Sequence, residues 1–170
     1  MTTALSTQDR LDIQDLFARY AWALDTGDSD AFVRCFAREG ALVWDAFETP
    51  LRWSGADELR HFIEGLRALP ESAGRQHHVS NVLVEPSMQG ARARAFVLVT
   101  LRQPDGALRA HVAGYYEDEL QNESGEWRIR QRTIRDWAGP VLERFAGQPR
   151  DAARRPMPPP LAALLPPRRG

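Results

Sequence analysis

The chain has 170 residues, a formal net charge of -1 and a hydrophobic fraction of 43%, which indicate one globular domain with a sizeable core. A charge so near zero does not favour nucleic acid or an acidic membrane surface as a partner. No run of about 18 apolar residues is present, so a transmembrane helix is excluded. The first ten residues lack the basic and apolar segments of a secretory signal, and we expect a cytoplasmic protein.

Two residue types are informative because they are scarce. All 22 basic residues are arginine, and the absence of lysine removes Schiff-base chemistry and any phosphate-loop lysine. The single cysteine, Cys35, cannot form an internal disulfide, and its apolar helical surroundings predict a core residue. The Cys/His spacing of a zinc site is also absent. The sequence therefore predicts neither a metal nor a cofactor.

The N-terminal half has the 3.6-residue apolar periodicity of helices. The pattern predicts a helix at about 7–25, a short helix from Asp28 or Ser29 to Gly40, strands Ala41–Trp44 and Leu51–Trp53, and a third helix at about 56–68. In the short helix we expect Phe32 and Phe36 to face the core.

After Pro70 the apolar period changes from 3.6 to 2, which is typical of strands. Four strands are predicted: His77–Val84, Ala91–Arg102, Leu108–Leu120 and Trp127–Trp137. Helices followed by an antiparallel meander indicate an α+β fold with helices on one face of a curved sheet. We expect a domain over 1–140 and a Pro/Arg-rich C-terminal extension over 141–170.

Two residues of the first helix are candidates for chemistry. Tyr20 lies on the apolar stripe, with a hydroxyl able to protrude from the core. Asp25 follows where the helix ends, at the negative end of the helix dipole, an unfavourable place for a carboxylate that suits proton transfer. The alternative for Asp25 is a solvated side chain in a Thr-Gly-Asp turn.

Two adjacent histidines, His77 and His78, begin a strand. Because neighbouring strand residues face opposite ways, one must face the helices and serve as an acid/base candidate, and the pattern alone leaves open which one. The predicted faces are His77, Val79, Asn81 and Leu83 on one side, and His78, Ser80, Val82 and Val84 on the other. His111, in a later strand, is a weaker candidate.

Three arginines alternate along the last strand, at Arg128, Arg130 and Arg132. Alternation puts their side chains on one face of the sheet. We predict an outer face that is solvated or that lines a subunit interface.

Several segments together resemble the SnoaL-like branch of the nuclear-transport-factor-2-like superfamily, over about residues 5–137. The segments are Asp12–Tyr20 with Ala23–Asp28, Trp53–Leu59, His77–Asn81, and Gly114–Leu120 with Gly125–Ile129. The resemblance implies an NTF2-like, cystatin-like α+β barrel: a cone-shaped curved antiparallel sheet with three N-terminal helices. It also implies a homodimer or homotrimer formed through the open face of the sheet.

Within that superfamily, the Tyr-x4-Asp spacing and the histidine resemble bile-acid dehydratases, scytalone dehydratase and the lindane dehydrochlorinase. The resemblance implies that His77 is the base, that Asp25 orients it, and that Tyr20 donates a hydrogen bond to the substrate. The dehydrochlorinase has lysine where Tyr20 stands, which argues against haloalkane elimination. Scytalone dehydratase has a second histidine where this chain has Val99–Arg102, and His111 is the candidate to replace it.

The predicted function is that of a cofactor-independent lyase, isomerase or cyclase acting on a hydrophobic, oxygenated small molecule of polyketide, steroid or terpenoid type. The predicted substrate-binding residues are Trp22, Trp44, Phe62, Val79, Asn81, His111, Tyr115 and Trp137. Two alternatives remain: a non-catalytic small subunit of an aromatic-ring dioxygenase, and a ligand-binding module with the same fold.

The extension contains six of the 12 prolines within residues 151–170, so it cannot build a core of its own. Its apolar residues Leu161, Leu164 and Leu165 are predicted to anchor it on its own or a neighbouring subunit, where it could cap the mouth of the cone. Arg168 and Arg169 are predicted to meet the mildly acidic body. A disordered tail is the alternative.

Overall fold

The computed structural model describes residues 4–138 and 156–166. Three helices precede most of the sheet: α1 (Thr7–Thr26), α2 (Ser29–Arg34) and α3 (Gly55–Ala68). A capping box between Ser6 and Asp9 begins α1, and Gly27, with a φ of 72°, ends it. Within 4–138 and 156–166, none of the helices has the length and apolar character needed to cross a membrane.

In the described part of the chain, six strands form one curved, unclosed sheet in the order β2-β1-β6-β5-β4-β3. Their bounds are β1 Phe36–Trp44, β2 Leu51–Ser54, β3 Arg75–Ser87, β4 Gly90–Arg102, β5 Leu108–Glu123 and β6 Glu126–Asp136. The α+β architecture with N-terminal helices is confirmed. Neighbouring strands are antiparallel except β1 and β6, which pair in parallel.

The predicted extent of the second helix is wrong. That helix ends at Arg34, and Phe36 begins β1. The backbone N–H of Ile129 donates to the carbonyl of Cys35 at 2.9 Å, and Phe36 pairs with Ile129. Pairing with a distant strand therefore overrides the local helical pattern. Cys35 is buried, as predicted.

The helices pack on the inner face of the sheet. Inward positions of β4 carry small side chains, and this leaves room for the aromatic residues of α1, α2 and β5. These small residues are Ala91, Ala93, Ala95, Val97 and Val99. The resulting core brings the C-terminal end of α1 against the start of β3.

A bulge in β6 corrects the predicted arginine face. Leu120 pairs with Ile129 and Glu119 pairs with Gln131, so Arg130 is an extra residue on β6. The side-chain alternation shifts by one position there. Arg130 faces outward, but Arg132 lies on the inner face and is fully buried.

A second bulge, in β3, corrects the predicted histidine face. Ser80 pairs with Phe96 and Leu83 pairs with Arg94, so two residues, Asn81 and Val82, oppose one residue of β4. Asn81 adopts a φ of 54°, and its side chain is exposed. After the bulge, Val82 packs against the core and Leu83 is exposed. Asn81 therefore does not share the inner face with His77.

The outer face of the sheet carries both charged and apolar side chains. Arg92 and Arg94 are exposed there, beside the exposed Phe96 and Leu98. Arg132 does not belong to this face. Assembly into a homodimer or homotrimer stays a prediction.

The buried Arg132 forms an ion pair with Asp118, which is also fully buried. Arg132 donates through Nε at 3.0 Å and through Nη2 at 2.5 Å to the two carboxylate oxygens. Its guanidinium carbon lies 4.0 to 4.5 Å from the ring centroids of Phe17, Tyr20 and Tyr116. Burial opposes the charge of Arg132, but Asp118 outweighs burial and raises the pKa of the guanidinium.

The C-terminal segment packs on α3 of the same chain. Residues Pro159–Leu164 form a 3-10 helix in which Leu164 is fully buried. The indole N–H of Trp53 donates to the carbonyl of Leu164, and His61 Nε2 donates to the carbonyl of Leu165 at 2.9 Å. A side chain at Gly65 would lie 2.9 Å from Leu164 Cδ2, so glycine makes room for this contact.

Of the three predicted anchors, Leu164 is the buried one. Leu161 is partly buried against the core, and Leu165 is 39% exposed. Arg168 and Arg169 lie outside the described residues, as does the stretch 139–155 that belongs mostly to the predicted extension.

Replacing Arg132 should destabilise the protein strongly. Arg132→Met leaves the Asp118 carboxylate buried without a partner, and we expect the free energy of unfolding to fall by about 3–5 kcal/mol. Arg130→Met, on the outer face, is the matched control and should change it by less than about 0.5 kcal/mol. Urea denaturation measures both. Equal losses in the two variants would contradict the burial of Arg132.

Removing the Leu164 side chain should also destabilise the fold. Leu164→Ala leaves a cavity against α3, and we expect a loss of about 2–5 kcal/mol in the free energy of unfolding. Leu165→Ala removes the same atoms from a partly exposed position and should cost much less. Thermal denaturation measures the melting temperature of both variants. An unchanged melting temperature in Leu164→Ala would show that the segment does not pack on α3.

Candidate functional site

The end of α1 and the start of β3 meet through Asp25 and His77. His77 Nδ1 lies 2.5 Å from Asp25 Oδ1, and the backbone N–H of His77 donates to Asp25 Oδ2 at 2.7 Å. The predicted contact between these side chains is therefore present. One carboxylate oxygen of Asp25 contacts the imidazole of His77, and the other accepts from the backbone N–H of His77. Asp25 therefore holds both the ring and the backbone of His77 in place.

This contact sets the tautomer of His77. An ionised carboxylate can only accept, so Nδ1 must carry the proton that it shares with Asp25. In the neutral ring, Nε2 then bears the free lone pair. Among the described residues Nε2 has no hydrogen-bond partner, so it is available to take or return a proton.

The pair is largely shielded from water. The side chains of His77 and Asp25 are 6% and 16% exposed. His78 faces the other way, with Nε2 3.1 Å from Thr100 Oγ1 at an exposed position. The fold thereby resolves the choice that the alternation of strand residues left open, and His77 is the inward histidine.

Tyr20 lies deeper than the sequence predicts. Its side chain is fully buried, with its ring 5.2 Å from Phe32 and 5.9 Å from Tyr116. Its hydroxyl has no hydrogen-bond partner of good geometry among the described residues. Burial raises the pKa of Tyr20, so the phenol stays protonated at neutral pH and can donate a hydrogen bond.

A cavity of about 510 Å³ lies at one end of the sheet, and Asp25, His77 and Tyr20 are not among its lining residues. Its walls come from the end of β1, the start of β3, the start of β5, the end of β6 and the C-terminal segment. The lining includes Trp44, Leu69, Arg75, His111, Val112, Asp136, Trp137, Pro158, Pro160 and Leu161. Arg75 precedes His77 by two residues on the same strand face, a spacing of about 7 Å.

Three of the eight predicted substrate-binding residues line this cavity: Trp44, His111 and Trp137. Val79 lies on the inner face of β3, partly buried against the core. Phe62 is a core residue, with its ring 4.6 Å from that of Trp53.

The remaining predicted positions lie elsewhere. Trp22 is 71% exposed because it lies on the solvent side of α1, opposite the apolar stripe. Tyr115 faces outward, with its ring 6.2 Å from that of Trp137, because the inward position on β5 belongs to Tyr116. Asn81 is displaced by the bulge in β3.

Sequence reasoning missed three interior residues: Arg75, Tyr116 and Arg132. Arg75 is coupled electrostatically to Asp25 and to Tyr116, although burial lowers the pKa of its guanidinium overall. Tyr116 is fully buried, and burial raises its pKa well above the ordinary value. The sequence could have indicated Arg75, because it lies two residues from His77 on one strand and therefore on the same face. The sequence could not have indicated Arg132, since the bulge at Arg130 moves its side chain to the opposite face of the sheet.

No group of three or more metal-ligating side chains occurs within residues 4–138 and 156–166. The Asp25–His77 pair and the two buried tyrosines lie between the helices and the curved sheet. Solved proteins with this architecture are described as NTF2-like with a cystatin-like fold. The chain belongs to the SnoaL-like family, since the model of the SnoaL-like domain matches residues 6–133.

Solved structures give the same fold. Rv3472 from Mycobacterium tuberculosis, a protein of unknown function, is 25% identical with a TM-score of 0.71, over 94% of this chain and 93% of that one. A protein from Novosphingobium aromaticivorans, provisionally named an aromatic ring hydroxylase, is 27% identical with a TM-score of 0.67, over 79% and 92%.

A third structure, from Novosphingobium aromaticivorans DSM 12444, is provisionally named a scytalone dehydratase. It is 21% identical with a TM-score of 0.62, over 76% of this chain and 86% of that chain, a likeness that concerns the fold alone. The search of curated proteins found no match.

The tautomer of His77 should change when Asp25 becomes asparagine. In Asp25→Asn, the amide oxygen must accept from the backbone N–H of His77, so the amide NH₂ faces Nδ1 and forces it to accept. We expect the ring proton to move to Nε2, which ¹⁵N NMR of the imidazole nitrogens detects. His78 serves as the internal reference. A ring that keeps its proton on Nδ1 would show that Asp25 does not set the tautomer.

Proposed function

We propose that this protein is a cofactor-independent lyase or isomerase that removes a proton next to a carbonyl group in a hydrophobic, oxygenated small molecule. The observation that carries the proposal is the buried contact between Asp25 and His77, in which Nε2 has no hydrogen-bond partner from residues 4–138 and 156–166. A histidine held in one tautomer by a carboxylate is the arrangement that general-base catalysis requires.

In a dehydration, Nε2 of His77 takes the proton from the carbon next to the carbonyl. The released electron pair forms a carbon–carbon double bond while the bond to a hydroxyl on the adjacent carbon breaks. The imidazolium returns its proton to the departing hydroxide, which leaves as water. In an isomerisation the imidazolium returns the proton to another carbon instead. Asp25 stabilises the imidazolium between the two transfers.

Tyr20 has a separate role in the proposal. Because burial raises the pKa of its phenol, Tyr20 acts as a hydrogen-bond donor rather than as a base. Its hydroxyl lies in the core beside Arg132, so donation to the oxygen of the substrate or of the leaving group requires the interior to open there.

A second candidate function is that of a non-catalytic subunit of an aromatic-ring-hydroxylating complex. It is favoured by the 27% identity with the Novosphingobium protein that carries the name of an aromatic ring hydroxylase. In such a subunit the Asp25–His77 pair would be structural, and its loss would change stability rather than proton transfer.

Proton exchange into a model ketone tests the proposal without knowledge of the natural substrate. We expect the protein to accelerate deuterium incorporation next to the carbonyl of 2-tetralone in D₂O, as followed by ¹H NMR. His77→Ala should slow the enzymatic exchange by about 10²–10⁴-fold, since it removes the general base.

His78→Ala is the matched control, because His78 is the neighbouring histidine on the opposite face, and it should retain the rate. Equal exchange in both variants and in the unchanged protein would contradict the role of His77. That result, with intact folding, would favour the subunit function.

A further inference from the structure

A groove of about 400 Å³ lies at the surface, between α1, α2 and the start of β6. It shares no lining residue with the cavity at the end of the sheet. Three arginines and one tryptophan line it: Arg19, Arg34, Arg128 and Trp22. Arginine and tryptophan are both enriched where proteins bind partners, because one supplies a planar charge and the other a large apolar face.

Two of these arginines have no ion-pair partner in the described part of the chain. Arg19, on α1, and Arg34, at the end of α2, are both exposed. The floor of the groove includes Cys35, which is buried. Burial raises the pKa of the Cys35 thiol, and the positive charges of Arg132, Arg19, Arg128 and Arg34 oppose that increase. The guanidinium groups therefore act together on the floor of the groove.

The acidic residues near these arginines are engaged elsewhere. Asp28 is the N-cap of α2, and its Oδ1 accepts a backbone N–H within that helix at 2.9 Å. Glu126 pairs with Arg128, which also donates to the carbonyl of Arg34. Outside the lining, Asp30, on which Arg34 acts, pairs with an arginine of α3 at 2.6 Å. With three arginines against two acids, the lining carries one net positive charge.

Trp22 supplies an open aromatic face to the same groove. It is 71% exposed, so most of the indole is accessible to a ligand. Trp22 follows Arg19 by three residues, which places both side chains on one face of α1. A ring that stacks on this indole can therefore carry a charged group to the arginines.

We propose that this groove binds an aromatic phosphate, with its ring on Trp22 and its phosphate between Arg19 and Arg34. A guanidinium donates two parallel hydrogen bonds to phosphate oxygens, and two arginines on different helices match the two charges of the group. The volume of about 400 Å³ suits one small molecule, so we assign the source to a free ligand. Asp25 and His77 do not line the groove, and the proposal does not depend on the proposed reaction.

Calorimetric titration with three probes separates the contribution of the ring from that of the phosphate. 1-Naphthyl phosphate carries both groups, inorganic phosphate lacks the ring, and 1-naphthol lacks the phosphate. We expect 1-naphthyl phosphate to bind at least about fivefold more tightly than either partial probe, the lower end of what one stacked ring contributes.

Variants at exposed positions, which are expected to fold, assign each contribution to its residues. Trp22→Ala should abolish the advantage over inorganic phosphate, and the double variant Arg19→Gln/Arg34→Gln should abolish the advantage over 1-naphthol. Arg109→Gln is the control, because Arg109 is an exposed arginine at the start of β5 and the groove lies beside the turn at the other end of that strand. It should leave all three affinities unchanged.

The indole signals in ¹H–¹⁵N spectra report on the ring directly. 1-Naphthyl phosphate should move the signal that disappears in Trp22→Ala, and inorganic phosphate should not move it. Equal affinity for these two probes, or an affinity that survives both Trp22→Ala and the double arginine variant, would overturn the proposal. A phosphotyrosine peptide that binds far more tightly than 1-naphthyl phosphate would overturn the assignment to a free small molecule.

His77→Ala separates this proposal from the catalytic one. We expect His77→Ala to bind 1-naphthyl phosphate as the unchanged protein does, although it loses proton exchange. If His77→Ala loses this binding while the double arginine variant keeps it, the ligand lies in the interior and the groove is not its site.

Discussion

The structure depends on one buried ion pair, that of Arg132 and Asp118. Both side chains are fully removed from water, and such charges are tolerated only when each one is paired and hydrogen-bonded. Three hydrogen bonds join them, and the rings of Phe17, Tyr20 and Tyr116 surround the guanidinium. Two of these rings belong to α1 and one to β5. The pair therefore fixes how the first helix sits on the sheet, and with it the position of Asp25 at the end of that helix.

A second polar contact, between Asp25 and His77, lies further along the same interior. The two centres are linked through Tyr116, which contacts Arg132 and is coupled electrostatically to Asp25. The centres differ in their remaining hydrogen-bonding groups: Asp118 receives three hydrogen bonds from Arg132, whereas Nε2 of His77 has no partner among the described residues. Trp44 and Arg75 line the cavity that the C-terminal segment helps to enclose.

The C-terminal segment gains its structure from α3. Alone it has prolines that prevent regular backbone hydrogen bonding, and its contacts with Trp53, His61 and Gly65 replace what such a sequence cannot make for itself. The same segment contributes Pro158, Pro160 and Leu161 to the cavity. The stability of the fold and the enclosure of the cavity are therefore coupled through one short stretch of chain.

The sequence by itself determined most of the helices and strands, the α+β class and the family resemblance. These features follow from local periodicity, caps and turns, and from motifs that lie within single elements. The pairing of Asp25 with His77 joins two elements, and only the family resemblance implied it. Tertiary structure decided which way the side chains face beyond the bulges at Asn81–Val82 and at Arg130. A bulge is set by the pairing of two strands, and one extra residue reverses every later position, which buried Arg132 and exposed Asn81. The cavity also required the fold, because lining residues such as Trp44 and Arg75 lie on different strands that no local pattern connects.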